Sequence, residues 1–165
     1  MTAFRTGIGY DIHRLAGGRR LVLGGVAIDH PQGLLGHSDG DVLLHALIDA
    51  LLGAGGLGDI GTHFPSEDAK YAGADSVDLL RTVGSLVADA GFEVSSVDAT
   101  VIAERPRIAG RIGDMRSSIA GALGIGPDRV SVKATSTDGM GVIGSGEAIA
   151  ALATALLARD DRAGG

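Results

Sequence analysis

The chain has no cysteine and no tryptophan among its 165 residues. Without thiols there are no disulfides, thiolate zinc sites, iron–sulfur clusters or cysteine nucleophiles. Aromatic side chains are limited to 2 tyrosines and 3 phenylalanines, too few for a base-stacking platform. Positive charge is also short: 14 Lys and Arg stand against 20 Asp and Glu, a net charge of −6. That balance argues against a general polyanion binder, and no nucleic-acid partner is expected. A small anionic ligand would need local cations or metal ions. Long apolar runs are missing as well. The longest nearly apolar stretch, residues 148–158, has 11 residues, against the ~20 of a spanning helix, so no membrane partner is expected. The first residues, Met1-Thr2-Ala3-Phe4-Arg5-Thr6-Gly7, contain no apolar signal core, and the expected location is the cytoplasm.

What is present describes a folded domain. Hydrophobic residues make up 45% and charged residues 21%, enough apolar surface for a core. One domain is expected over residues 1–158, followed by a disordered tail at 159–165. The pattern predicts a strand at 5–15 and a hairpin of 21–23 and 26–28 around Gly24-Gly25. A loop at 31–38 leads to an amphipathic helix at 39–52, capped by Ser38 or Asp39. A long glycine-rich connection at 53–73 follows, of the kind that is usually functional or mobile. Then come a helix at 75–90, a strand at 92–103, a helix at 108–123, a strand at 129–137 and a helix at 147–157. Strands and helices mix without strict alternation, which predicts an α+β fold, a mixed sheet covered by helices on one face.

Several constellations carry chemistry. Asp11 and His13 are at i and i+2, on one face of a strand. Asp41, His45 and Asp49 are at i, i+4 and i+8, on one helical stripe. Read blandly, these are a surface pair and a solvent-facing stripe. Read together, Asp11, His13 and His45 make an N₂O set that leaves a fourth tetrahedral position open, as catalytic zinc sites do. Asp59-Ile60-Gly61 is either a glycine-rich turn or a set of backbone amides for an oxyanion or sugar hydroxyl. The run from Lys133 to Asp138 is either a polar edge and turn or a phosphate cradle in which Asp138 holds a hard cation. It does not have the order of a Walker A loop. Glu104-Arg105-Pro106-Arg107 sets two arginines around a proline, suited to phosphate or simply solvated.

Taken in order, Gly9-Tyr10-Asp11-Ile12-His13, Gly36-His37-Ser38-Asp39-Gly40-Asp41 with His45, Leu57-Gly58-Asp59-Ile60-Gly61, Phe64-Pro65 and Val132-Lys133-Ala134-Thr135 resemble one family. It is that of the 2-C-methyl-D-erythritol 2,4-cyclodiphosphate synthases, and the likeness runs over about residues 5–157. The resemblance implies a lyase of the non-mevalonate isoprenoid pathway. It converts 4-diphosphocytidyl-2-C-methyl-D-erythritol 2-phosphate to the cyclic diphosphate with release of CMP. It also implies a homotrimer with sites between subunits and three sheets packed around the axis. Asp11, His13 and His45 would hold zinc, and Asp138 would hold Mg²⁺ or Mn²⁺. His37, Asp59 and Ser136 match catalytic positions. Asp11, His13, His37, Ser38, Asp59 and Gly61 match substrate-binding positions at the phosphate and erythritol end, and Phe64, Ser66 and Asp68 match the neighbouring loop. Ala103, Pro106, Lys133, Thr135, Ser136, Thr137 and Asp138 match the part that holds cytidine and its phosphates. Val142 and Ser145 complete the substrate-binding set.

Two departures stand out. Ser136-Thr137-Asp138 replaces the family's usual T-T-E, which shortens the carboxylate by one methylene. Ser145 stands where an arginine is usual. The residues by themselves leave two rivals open: a metal-dependent phosphoesterase using an activated water, and a non-enzymatic metal- or nucleotide-binding trimer.

Overall fold

The computed structural model describes residues 2–160. Alternation along the first strand, β1 (Thr2–Gly17), sets the architecture. Its odd positions Gly7, Gly9, Asp11, His13 and Leu15 turn toward the helices, while Phe4, Ile8, Tyr10 and Ile12 are exposed on the other face. The short pair β2 (Leu21–Leu23) and β3 (Val26–Ile28) forms a separate hairpin. Both turn glycines have positive φ, 61° at Gly24 and 73° at Gly25, as a two-residue primed turn requires. β4 (Gln32–Leu34) pairs with the end of β1, so the loop expected at 31–38 is in part a strand.

The central helix α1 (Val42–Gly55) has 12 of its 14 residues buried. It is therefore a core helix rather than the expected amphipathic one. Leu43, Leu44, Leu47, Ile48, Leu51 and Leu52 are fully buried, each worth about 1.5–3 kcal/mol relative to exposure. α1 lies directly on β1. A Cβ at Gly9 would be 1.9 Å from the Ala46 carbonyl oxygen, and one at Gly7 2.0 Å from that of Ala50. The helix cap is Asp41, not Ser38 or Asp39. Its carboxylate accepts from Leu44 N–H at 3.1 Å and also from Gly24 N–H at 2.9 Å and Gly25 N–H at 2.7 Å. One fully buried carboxylate thus starts α1 and clamps the β2–β3 turn. Burial pushes its pKa up to about 6, against the pull of those amide donors.

The connection at 53–73 contains a short helix, α2 (Ile60–His63), and a 3₁₀ turn at Ala69–Tyr71. α3 (Ser76–Asp89) packs beside α1 and leads into β5 (Glu93–Ile102). A 3₁₀ turn at Ala109–Arg111 precedes α4 (Ile112–Leu123), so the helix expected from 108 starts four residues later. β6 (Val130–Thr135) runs parallel to β5 and stops two residues before its expected end. A single turn of helix, α5 (Gly141–Gly144), leads to β7 (Ala148–Asp160).

β7 overturns the helix expected at 147–157. Ala150, Ala151, Ala153 and Ala155 favour a helix locally, and Leu156-Leu157 blurs the alternation. Tertiary packing decides otherwise. Ala151, Ala153 and Ala155 face α1, where only small side chains fit, and Leu152 and Thr154 face outward. Arg159 and Asp160 continue the strand; the remainder of the expected tail lies outside the described residues. The mixed sheet has the order β4-β1-β7-β5-β6, with only β5 and β6 parallel. Helices cover one face, as expected. Among the described residues no helix is long and apolar enough to cross a membrane.

Candidate metal centre and substrate cleft

The contact of α1 with Gly7 and Gly9 brings His45 against β1. Asp11 Oδ2 lies 2.8 Å from His13 Nε2 and 3.0 Å from His45 Nδ1, and the two nitrogens are 3.3 Å apart. All three ligand atoms fall within 4.8 Å of one another. Donors held about 2.0–2.1 Å from a tetrahedral metal are separated by about 3.3 Å, so the triangle is of the right size. Its outer contacts also fit. The Leu35 carbonyl can only accept, so His13 Nδ1 carries a proton for it and Nε2 turns a lone pair inward. His45 Nε2 touches Ser38 Oγ at 3.0 Å and Ser76 Oγ at 3.1 Å.

Without a metal, protons serve the same cluster. Burial alone would raise the Asp11 pKa, but hydrogen bonds and charge from His13 and His45 outweigh it and hold the carboxyl far below its usual range. The hydrogen bond to Asp11 raises the His13 pKa, against burial. A raised histidine pKa gives stability that is complete below 6.5 and lost as pH rises through the folded value. Zinc needs the neutral ring, so its binding has the opposite trend. We expect the chelated protein to lose thermal stability as pH rises above 6.5, while zinc-induced stabilisation grows in the same direction. Scanning fluorimetry with EDTA and with zinc measures both; parallel curves would remove His13 from the site.

Beside the triangle is a cavity of about 250 Å³, lined by Asp11, His13, His37, Ser38, His45, Gly61, Phe64 and Ser66, all expected site residues. Asp49, Ile60, Tyr71 and Leu79 line it too. Asp49 accepts from Ile60 N–H at 2.8 Å, which fixes the start of α2, and burial raises its pKa. Asp59 is exposed and caps α2, accepting from Thr62 N–H at 2.9 Å and Thr62 Oγ1 at 2.7 Å. Asp68 caps the following turn and pairs with Lys70 at 3.3 Å.

The other expected residues are elsewhere in the chain. Asp11 on β1 pairs with Ala151 on β7, Ala151 with Val101 on β5, and Val101 with Ala134 on β6. At ~4.8 Å per strand, Ala134 is about 14 Å from Asp11. Lys133 and Thr135 flank Ala134, and Lys133 hydrogen-bonds Asp98, whose pKa it lowers. Ala103 N–H donates to the Thr135 carbonyl at 3.0 Å, which joins the ends of β5 and β6. Pro106 follows on the next loop, after a cis peptide bond. Ser136 Oγ donates to Asp138 Oδ1 at 3.2 Å, and Thr137 Oγ1 donates to the Met140 carbonyl at 2.7 Å. Val142 is exposed in α5, and Ser145 Oγ donates to Glu147 Oε1 at 2.8 Å. Ser76 was not among the expected site residues, although its hydroxyl touches His45 Nε2.

An α+β sheet with an Asp-His-His group at the mouth of a cleft defines a protein with a three-residue candidate metal site. The chain belongs to the YgbB family, which its residues 4–158 match. It is 58% identical over 152 residues to the 2-C-methyl-D-erythritol 2,4-cyclodiphosphate synthase of Symbiobacterium thermophilum, covering 92% of this chain and 97% of the relative. Its fold is similar to the bifunctional IspDF from Campylobacter jejuni, with a TM-score of 0.94 and 42% identity over 98% of this chain and 44% of that one. It is also similar to the CDP complex of IspF from Plasmodium falciparum, with a TM-score of 0.84 and 35% identity over 96% of this chain and 98% of that one.

Proposed function

We propose that the protein is a 2-C-methyl-D-erythritol 2,4-cyclodiphosphate synthase that acts in the cytoplasm as a homotrimer. The observation that carries the reading is the Asp11-His13-His45 triangle at the mouth of the cleft. The substrate's 2-phosphate oxygen attacks the β-phosphorus of its own diphosphate. A new P–O bond closes the ring, the bond from the β-phosphorus to the bridging oxygen breaks, and CMP leaves with that oxygen. Both reacting groups are anionic, so the catalyst has to align them and spread their charge. Asp11, His13 and His45 would hold zinc, which would supply Lewis-acid polarisation of a phosphate oxygen. His37 and Ser38 bind the phosphate end. Asp59 and the Gly61 amide orient the erythritol hydroxyls, and Phe64 and Ser66 line the cavity wall.

The cytidine part falls to Ala103, Pro106, Lys133, Thr135, Ser136 and Thr137. The strand ladder puts Ala134, between Lys133 and Thr135, about 14 Å from Asp11, a separation in keeping with a cleft completed by a neighbouring copy. The uncovered sheet face supports the trimer: Phe4, Ile8, Tyr10, Ile12 and Leu152 are exposed there, as an apolar interface requires. Incubation with the substrate, followed by ³¹P NMR, tests the activity. A cyclic diphosphate with CMP is expected; a linear hydrolysed product would favour the phosphoesterase, and no turnover a binding protein.

Mg²⁺ or Mn²⁺ is assigned to Asp138, the kind of single carboxylate that commonly holds Mg²⁺ together with substrate phosphates. Asp138 is exposed and has φ of 52°, a left-handed conformation that Asp and Asn both tolerate. Asp138→Asn therefore removes charge without backbone strain. The Mg²⁺ concentration for half-maximal rate should rise about tenfold or more. An unchanged activation curve would reduce Asp138 to a turn residue.

A further inference from the structure

We infer that Asp39 and Ser76 are positioning residues for the metal centre: they fix the tautomer of His45, so that Nδ1 offers its lone pair and Ser38 keeps its proton for the cavity. The hydrogen bonds around His45 carry this. Its Nε2 faces two hydroxyls, Ser38 Oγ at 3.0 Å and Ser76 Oγ at 3.1 Å. A hydroxyl can donate or accept. If either donated to Nε2, the neutral ring would carry its proton on Nδ1, pointed at Asp11 and useless to a metal.

Ser76 is fully buried, and its hydroxyl donates to Asp39 Oδ1 at 2.5 Å. The Asp39 carboxylate is itself held by two backbone donors, Ser76 N–H at 3.0 Å on Oδ2 and Asp41 N–H at 3.1 Å on Oδ1. With its proton committed, Ser76 Oγ has only lone pairs for His45. Nε2 is then the donor, and a neutral ring keeps its lone pair on Nδ1, the atom that meets a metal beside Asp11 and His13. In the metal-free cluster a proton on Nδ1, for which Asp11 Oδ2 at 3.0 Å is the acceptor, is a second proton on the ring and leaves Nε2–H in place. Ser38 follows. Its oxygen accepts from Gly40 N–H at 3.3 Å and lies against the same Nε2–H, so its own proton has no use there. Ser38 lines the cavity, and its proton is free to meet an anionic oxygen. The chain Asp39–Ser76–His45 extends to a serine hydroxyl the outer-shell control usually made by a direct carboxylate or carbonyl contact.

The inference rests on the zinc reading only for its consequence, and the experiment separates the two. Nitrogen-15 NMR of the imidazoles in the unmodified, metal-free protein reads the tautomer directly. A proton on His45 Nε2 is expected; a neutral ring bare at Nε2 overturns the inference. Ser76→Ala should shift His45 toward Nδ1–H and weaken zinc binding by about 10–100-fold in a chelator competition. Asp39→Asn should move both in the same direction by less. A folded Ser76→Ala protein with unchanged tautomer, or with unchanged zinc affinity, overturns it as well. Absence of zinc binding by the unmodified protein would defeat the zinc reading, while the tautomer measurement would still decide the role of Ser76.

Discussion

Replacing His45 with alanine is expected to remove most of the bound zinc and nearly all activity while leaving the fold recognisable. Three residues are proposed as ligands, and two remain in the variant, a strand carboxylate and one imidazole. A metal contact to a phosphoryl oxygen contributes several kcal/mol to the transition state, so the loss in kcat is about 10³-fold or more. The structural cost is smaller. Ser38 and Ser76 lose a shared partner, and unsatisfied buried groups cost about 1–3 kcal/mol each. Ser38 retains Gly40 N–H, and Ser76 retains Asp39. Elemental analysis, CMP release and circular dichroism distinguish the outcomes. Full zinc occupancy in the variant would defeat the ligand assignment.

How much of this centre was legible from sequence depends on the distance over which each signal acts. Asp11 and His13 needed only the alternation of a strand, and β1 provides it. His45 needed helical spacing, and α1 provides that too. The meeting of the two is a long-range event, and its sequence sign was two glycines, Gly7 and Gly9, whose missing side chains admit the Ala46 and Ala50 carbonyls. Asp39 and Asp41 show the limit of local reasoning. Asp39 was expected as a cap, and Asp41 as the first residue of a helical stripe. Asp41 is the cap and also clamps a hairpin turn some seventeen residues earlier. Asp39 instead reaches forward to Ser76. The last segment was misread because Ala and Leu favour a helix locally, and no feature of residues 147–157 announced that α1 would lie across them. The distance from Asp11 to Lys133 was also invisible, because it follows from the strand order, with β7 inserted between β1 and β5.

Gly9→Ala is expected to damage stability and the metal centre together. The added Cβ would lie 1.9 Å from the Ala46 carbonyl oxygen and 2.8 Å from Ala50 N. Both are backbone atoms of α1, so no side-chain rotation relieves the clash. Either the helix moves away from β1 or the strand bends. Overpacking a core typically costs 1–3 kcal/mol, and a clash with backbone belongs at or above the upper end, so a loss of about 3 kcal/mol or more is expected. Ala46 adjoins His45, and Gly9 is two residues before Asp11. Any shift that clears the methyl group therefore widens the gaps of 3.0 Å and 3.3 Å that join His45 to Asp11 and His13. Zinc affinity should fall in whatever fraction folds. Gly17→Ala is the matched control, since a Cβ there meets nothing within 4 Å, and it should change stability by no more than about 0.5 kcal/mol. Urea unfolding and zinc titration of both variants test the argument. A Gly9→Ala protein as stable as the control, with unweakened zinc binding, would mean that the contact of α1 with β1 does not set the geometry of the site.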